Sequence, residues 1–200
     1  MTANGSPADE GATTLLRRWS TGNDLSARDR LLQMLYAQLR GMAAARLSVD
    51  VPGLLQPTML VNEALMRMLD PATAYNDRVH FLALAALKMR SVMVDHARAM
   101  GAAKRGGDQL HLTLGHADRE SVDDQGAVDV LALDAALLAL AEVDARASST
   151  VEWMYFGGMR REEIAAAQGV SVPTVDRDLR FAKAWLKRYL GELSSEGAGR

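Results

Sequence analysis

The side chains best suited to chemistry are basic ones that recur at helical spacing near the C-terminus. Arg177, Arg180 and Lys183 are each three residues apart, so they share one face of any helix that contains them. Groups arranged in this way can bind the phosphates on either side of a major groove, and arginine can also read guanine. The pattern therefore predicts a helix that binds DNA.

The segment before these cations has the features of a helix-turn-helix. Ala165 is small where a second helix would pack, and Gly169 tolerates the left-handed dihedrals of a tight turn. Ser171 can cap a recognition helix that begins at Ser171 and Val172, and a proline in the first helical turn costs little. The residues expected to contact duplex DNA are Pro173, Thr174, Arg177, Arg180 and Lys183.

Two positions of this motif carry polar residues. Gln168 and Asp178 lie where such motifs often have an apolar side chain, and we expect Leu179 to take over the missing contact. An ordinary helical hairpin with a glycine turn is the alternative interpretation.

A second group of residues lies in the first half of the chain, where aromatic and basic side chains cluster at the start of a predicted helix. Aromatic rings can stack on an unpaired base while nearby cations hold the backbone. The alternative is that the two aromatic rings belong to the core and the cations are solvated. The group comprises Tyr75, Asn76, Arg78, His80, Phe81, Lys88 and Arg90.

The composition favours an all-α protein. Of 200 residues, 48% are hydrophobic and 5% aromatic, and the apolar ones are mostly Ala, Leu and Met, which favour helix. The absence of cysteine excludes disulfides and thiolate metal sites and suits a reducing cytoplasm. The N-terminus lacks a signal-peptide pattern, and no apolar stretch is long enough to span a membrane. We expect a cytoplasmic protein with no membrane partner.

Charge is strongly segregated although the net charge is only −2. The chain is basic over residues 78–105, acidic over 108–144 and basic again over 177–188. Local charge decides where a polyanion can bind, so the pattern predicts two basic modules separated by an acidic connector. We expect domains at 12–105 and 128–192, a flexible acidic linker at 106–127 and a disordered tail at 193–200. The linker acids Asp118, Glu120, Asp123 and Asp124 are expected to fold onto the basic faces.

Local signals also predict where some elements begin. Ser26 and Thr58 are candidate N-caps for the second and third helices. A brief extended patch is expected at residues 111–114.

Several motifs, in order along the chain, resemble bacterial sigma factors of the extracytoplasmic-function (ECF) type. In the first half these are residues 55–63 (LQPTMLVNE), 77–81 (DRVHF), 94–98 (VDHAR) and 103–107 (AKRGG). In the second half they are residues 155–158 (YFGG), 163–165 (EIA), 169–171 (GVS) and 180–186 (RFAKAWL). The combination is far more specific than a lone helix-turn-helix.

The resemblance implies two small helical domains joined by a flexible acidic linker. The first would bind core RNA polymerase through Asn62, Glu63 and Arg67 and open the −10 promoter element with the group around Tyr75. The second would read the −35 element with the helix that begins near Val172. Promoter DNA and an anti-sigma factor are the other implied partners.

One departure from the family lies on the reading face. Asp176 stands where relatives usually have a basic residue, and its charge would repel phosphate. A sigma-like protein that binds polymerase without reading DNA is therefore one alternative. A helix-turn-helix regulator that never joins polymerase is another, although it leaves the motifs of the first half unexplained.

An enzyme is the alternative of a different class. Its candidate metal ligands are Asp95, His96, His80, His111 and His116. His80 and His96 would lie about four and a half turns apart on one helix, too far for one ion. His111 and His116 fall in the predicted linker. We expect no catalytic site, metal, cofactor or small-molecule substrate.

Overall fold

Helices account for most of the chain. The computed structural model describes residues 7–47, 55–68, 75, 77–103, 111–113 and 127–197. The predicted all-α class is confirmed, with one short pair of strands added. The elements are α1 (Pro7–Gly22), α2 (Leu25–Arg46), α3 (Pro57–Met68), α4 (Arg78–Ala103), β1 (His111–Thr113), β2 (Ala127–Asp129), α5 (Val130–Val143), α6 (Ala145–Tyr155), α7 (Arg161–Gln168) and α8 (Val172–Gly197).

The two strands pair antiparallel, with His111 opposite Asp129 and Thr113 opposite Ala127. Strand β1 matches the extended patch expected at residues 111–114. Most of the predicted acidic linker, including Asp118, Glu120, Asp123 and Asp124, lies outside the described residues. Its flexibility and its contacts therefore stay predictions.

Helices α1 to α4 pack around apolar stripes at helical spacing. Leu31, Leu35 and Leu39 lie four residues apart on α2 and are at most 3% exposed. Leu60 on α3 and Phe81 on α4 are fully buried in the same core. These helices hold the candidate residues of the first half of the chain in place.

Two helices of this half begin earlier than expected. Asp24, rather than Ser26, caps α2, because its carboxylate accepts the Ala27 N–H at 3.0 Å. Asn23 has φ 48°, which turns the chain just before that cap. Helix α3 begins at Pro57, where a residue without an N–H loses nothing, so Thr58 lies inside the helix.

Aspartates cap the helices at the start of the second half. Asp129 accepts the Leu131 and Ala132 N–H groups at 3.3 and 3.2 Å, which starts α5. Asp144 ends α5 and caps α6 by accepting the Ala147 N–H at 2.9 Å. Helix α8 continues to Gly197, so the predicted disorder of residues 193–200 is wrong for residues up to 197.

The two halves share one hydrophobic core, because α4 packs against α5, α6 and α7. The turn at Gly157 and Gly158 lies directly on the first half. A Cβ at Gly157 would be 3.2 Å from the Cβ of Ala86, and one at Gly158 would overlap the side chain of Met42. Because the two glycines have no side chains, the backbone of this turn can lie in close contact with α2 and α4.

Candidate nucleic-acid interface

Helices α7 and α8 form the predicted helix-turn-helix. Gly169 between them has φ 66° and ψ 31°, a left-handed conformation that favours glycine. Its N–H and that of Val170 donate to carbonyls at the end of α7, which closes the turn tightly. Ile164 and Val175 are fully buried between the two helices. These contacts fix the angle at which α8 leaves the turn.

The outer face of α8 presents three of the five predicted residues. Pro173, Arg177 and Arg180 are exposed and lie within two turns of one another. Arg177 forms no hydrogen bond or ion pair with the residues that the structure describes. Within the described part of the chain, the hydrogen bond that Arg180 makes is one of 3.3 Å to the carbonyl oxygen of Asp176. Both guanidinium groups are therefore available to a ligand.

The other two predicted residues of α8 are held by the protein itself. Thr174 is half-buried, and its hydroxyl lies 2.9 Å from that of Ser171 at the start of the helix. The Ser171 hydroxyl also accepts the Thr174 N–H, at a long 3.4 Å. The amine of Lys183 lies 5.9 Å from the centre of the Tyr155 ring, a cation–π contact that turns it toward α6.

The acidic residue on this face has a cationic partner. Arg161, the first residue of α7, places its Nε 2.8 Å from a carboxylate oxygen of Asp176. The pairing offsets the negative charge that the sequence places beside Arg177. Sequence reasoning missed Arg161, although its place four residues before Ala165 put it at the start of the predicted first helix.

A polar network replaces the apolar contacts expected inside the motif. Asp178 is 4% exposed and accepts two hydrogen bonds from Arg146 of α6, at 2.7 and 3.1 Å. Gln168 donates to the Thr150 hydroxyl at 2.9 Å. Leu179 is buried, as expected for the residue that takes over the apolar contact. The two polar positions thus join α6 to α7 and α8.

In the first half, the two aromatic candidates are core residues. Tyr75 is 2% exposed, stacks on Trp19 with ring centres 5.1 Å apart and donates its hydroxyl to the carbonyl of Met68. Phe81 is fully buried against it. Neither ring has a face free to stack on a base, so the alternative raised from the sequence describes these two residues.

The basic candidates of α4 do not share one face. Arg78 and Arg90 point toward the second half of the chain, where both form ion pairs. Lys88 is two residues from Arg90, which places it about 160° away around the helix. His80 is exposed near the helix start, and Asn76 lies outside the described residues.

Two glutamates of the second half meet those arginines. Glu163 accepts the Arg160 N–H at 2.7 Å, which caps α7, and also binds Arg78. Although burial raises its pKa, the hydrogen bonds from Arg160 and Arg78 hold the pKa of Glu163 below the usual range. The pKa of Glu152 is shifted in the opposite direction, above its usual range. Burial raises its pKa, and Arg90, 3.1 Å away, only partly offsets this, while Asp134 adds to it.

The raised pKa of Glu152 predicts a measurable pH dependence. Above the ordinary carboxyl pKa of about 4.3, the folded protein binds more protons here than the unfolded chain does, so ionising Glu152 lowers stability as pH rises. Glu152→Gln should therefore be at least as stable as the parent near neutral pH. Urea unfolding should show that advantage shrinking toward about pH 4. A variant that is less stable at neutral pH and equal in acid would contradict this sign.

The third group of candidates lies on α3. Asn62 and Glu63 are exposed, and Asn62 accepts a 3.1 Å hydrogen bond from the Tyr36 hydroxyl. Arg67 is half-buried and bridges Glu63 at 2.5 Å and Asp95 at 2.7 Å. Sequence reasoning missed two methionines on the same outer face, Met59 and Met66, which are 53% and 72% exposed. The signal in the sequence was that Met59 and Met66 lie seven residues apart, about two helical turns, and so share a helix face with Asn62 and Glu63.

The fold and the free basic face of α8 define a helix-turn-helix protein built from two packed helical halves. The family model for ECF sigma factors matches residues 9–192, so the chain belongs to the ECF sigma factor family, whose members are non-enzymatic factors that direct transcription initiation. Searches of curated proteins and of solved structures gave no match.

Two other classes of site are absent from the described part of the chain. No helix in the described part of the chain is long and apolar enough to cross a membrane. Among the same residues, no three His, Asp or Glu side chains form a group that could hold a metal ion.

Proposed function

We propose that this sigma factor binds core RNA polymerase and selects promoters by reading the −35 element with α8 and opening the −10 element with α4. The exposed face of Pro173, Arg177 and Arg180 on a helix-turn-helix carries the proposal. Arginine at this place in a recognition helix can bind guanine through two parallel hydrogen bonds. Thr174 would add a short-range contact to the DNA at the start of α8.

The charge of Asp176 is compatible with DNA binding. Because Arg161 pairs with it, the α7–α8 pair presents Arg177 and Arg180 to DNA without an unopposed carboxylate between them. This favours a DNA-reading sigma factor over one that only binds polymerase. Lys183 would reach a phosphate only by leaving the Tyr155 ring.

For the −10 element we propose Arg78, His80, Lys88 and Arg90 as contacts and leave out the buried rings of Tyr75 and Phe81. Asn76 keeps its predicted role. With so few free aromatic rings, the protein would trap flipped bases weakly, which predicts promoters of stringent sequence.

We propose that polymerase docks on the outer face of α3. Met59 and Met66 are large apolar side chains left exposed beside the polar Asn62 and Glu63. Apolar residues rimmed by polar ones are typical of a protein-binding surface, and methionine adapts readily to a partner. Arg67 would act by holding Glu63 in position, since it is bound to that carboxylate and to Asp95.

Replacing Met66 with Glu should weaken binding to core polymerase, because a charge would have to be buried in the interface. We expect a loss of roughly tenfold or more in affinity, measured by anisotropy of the labelled protein. Leu25→Glu is the matched control, since Leu25 is 53% exposed on α2, outside this face. Equal losses in both variants would argue against docking on α3.

Run-off transcription with core polymerase and a library of upstream regions tests the proposed function as a whole. Enrichment of templates with two conserved elements would support it. Binding to polymerase without selective transcription would favour the degenerate sigma-like protein. DNA binding without co-purification of polymerase would favour a plain helix-turn-helix regulator. An anti-sigma factor as partner, a cytoplasmic location and the lack of catalysis are parts of the same proposal.

A further inference from the structure

The outer face of α8 has a carboxylate in its middle. Asp176 follows Pro173 by three residues and precedes Arg180 by four, so these three residues share one face of the helix. Arg177 is the next residue along the chain, and the Nε of Arg180 donates to the carbonyl oxygen of Asp176 at 3.3 Å. A DNA duplex that contacts the two arginines would therefore also meet the carboxylate of Asp176.

The two aspartates in this part of α8 have different surroundings. Asp178 is 4% exposed, and Arg146 donates two hydrogen bonds to its carboxylate, so that carboxylate is closed to a ligand. The side chain of Asp176 is 44% exposed, although one of its carboxylate oxygens lies 2.8 Å from the Nε of Arg161. An ion pair as open to solvent as this one contributes little to stability. The carboxylate of Asp176 is thus held in place and still accessible to DNA.

The major groove offers a carboxylate one suitable base. Cytosine presents its N4 amino group there and has no acceptor of its own on that edge. Guanine presents the acceptors O6 and N7, and thymine presents the acceptor O4, so both repel a carboxylate. Adenine presents the N6 amino group, but its N7 acceptor lies next to that donor. An aspartate in the groove therefore selects cytosine by attraction and rejects the other bases by repulsion.

We propose that Asp176 is a specificity-determining residue, whose carboxylate accepts a hydrogen bond from the N4 amino group of a cytosine in the −35 element. The inference rests on the proposed function, since it presumes that α8 lies in the major groove of that element. Neighbouring residues have Cα atoms about 3.8 Å apart, close to the rise of about 3.4 Å between base pairs. The cytosine should therefore lie within about two base pairs of the guanine that Arg177 binds.

Arg161 is a positioning residue for this contact. Its charge lies beside the carboxylate of Asp176 and offsets the repulsion between that carboxylate and the DNA phosphates. Because Arg161 belongs to α7, the ion pair restrains the Asp176 side chain from outside α8, which lowers the entropy lost when a base is bound. Without Arg161, the carboxylate would repel every duplex and distinguish cytosine less sharply.

The test uses holoenzyme reconstituted from the full chain and core polymerase. The templates form a library that is randomised over the −35 region, and a barcode in the transcribed part of each template identifies its promoter. Sequencing of the transcripts then gives the base preference at every position. Asp176→Asn and Asp176→Ala are compared with Glu162→Gln, which removes an equal charge from an exposed position of α7.

We expect the parent protein to prefer cytosine at one base pair by roughly tenfold. Asp176→Asn should move that preference to adenine, because an amide can accept from N6 and donate to N7 at the same time. Asp176→Ala should make the four bases nearly equal at that base pair. Glu162→Gln should change transcription from all templates by the same factor and keep the base preferences of the parent.

The role of Arg161 is tested by a comparison in two backgrounds. Arg161→Gln should weaken binding of holoenzyme to a labelled promoter duplex, most strongly at low salt, and should reduce the preference for cytosine. In the Asp176→Ala background the same change should have little effect on binding, because no carboxylate is left to offset. Equal losses of affinity in both backgrounds would mean that Arg161 binds phosphate itself, which would contradict a positioning role.

Two results would overturn the inference. One is a set of base preferences that is the same in the parent, in Asp176→Asn and in Asp176→Ala. The other is a loss of preference spread over the whole −35 element together with lower stability in urea, which a mere tether between α7 and α8 would produce. Failure of the proposed function looks different, because the parent protein itself would select no −35 element or would not support transcription by core polymerase.

Discussion

Replacing Arg177 with Ala is expected to reduce discrimination at one −35 base pair by about 1–3 kcal/mol. Arg177 is exposed on the outer face of α8, and among the described residues it has no partner that would compete with DNA. Its loss would remove two parallel hydrogen bonds to a guanine and leave those acceptors unpaired. Competition between −35 variants in run-off transcription measures the effect.

Two control variants separate base reading from simple attraction to phosphate. Arg177→Lys keeps the charge but loses the planar guanidinium group that can donate two parallel hydrogen bonds. Discrimination between −35 base pairs should therefore still fall. Lys187→Ala removes a charge from an exposed place on the same helix and should weaken all −35 sequences about equally. If Arg177→Ala behaves like Lys187→Ala, Arg177 binds phosphate rather than a base.

Replacing Arg146 with Ala should destabilise the helix-turn-helix more than replacing its partner Asp178 does. An Asp178 carboxylate that stays buried without its donors costs about 2 kcal/mol or more. The reverse loss is milder, because the Arg146 side chain is 44% exposed and can turn to water. Urea unfolding of the two single variants measures this asymmetry.

The double variant Arg146→Ala/Asp178→Leu gives the sharper comparison. Leucine at this position restores the apolar contact that such motifs often have, and no buried charge remains. We expect it to recover most of the stability lost in Arg146→Ala. If the double variant is as unstable as Arg146→Ala alone, the lost stability comes from the packing of Arg146 and not from an unpaired Asp178.

Residues close together in the chain allowed the helix-turn-helix to be predicted well. Gly169 takes the left-handed conformation expected of it, Val175 fills the space between α7 and α8, and Leu179 is buried beside Asp178. These contacts depend on turn geometry and on spacings of three or four residues, which any helix imposes. The same local rules failed at the start of α2, where Asn23 turns the chain and makes Asp24 the cap.

The roles of the aromatic and basic residues of the first half depended on longer contacts. Tyr75 lies four residues after Pro71 in the sequence and shortly before α4, and a ring at that place can lie in the core or face solvent. Its stacking on Trp19 places the ring in the core, and that contact joins residues 56 positions apart. Helical spacing alone carries no information about such a pair.

The sequence by itself determined the helices, the turn at Gly169 and the basic outer face of α8, because each follows from local geometry and charge. It also carried the motifs of the ECF sigma factor family. Only the tertiary structure decided which cations are free. Arg177 faces solvent, whereas Arg78 meets Glu163, 85 residues away, because α4 and α7 pack side by side. The charge of a side chain is fixed by its type, but its partner is fixed by the packing of helices.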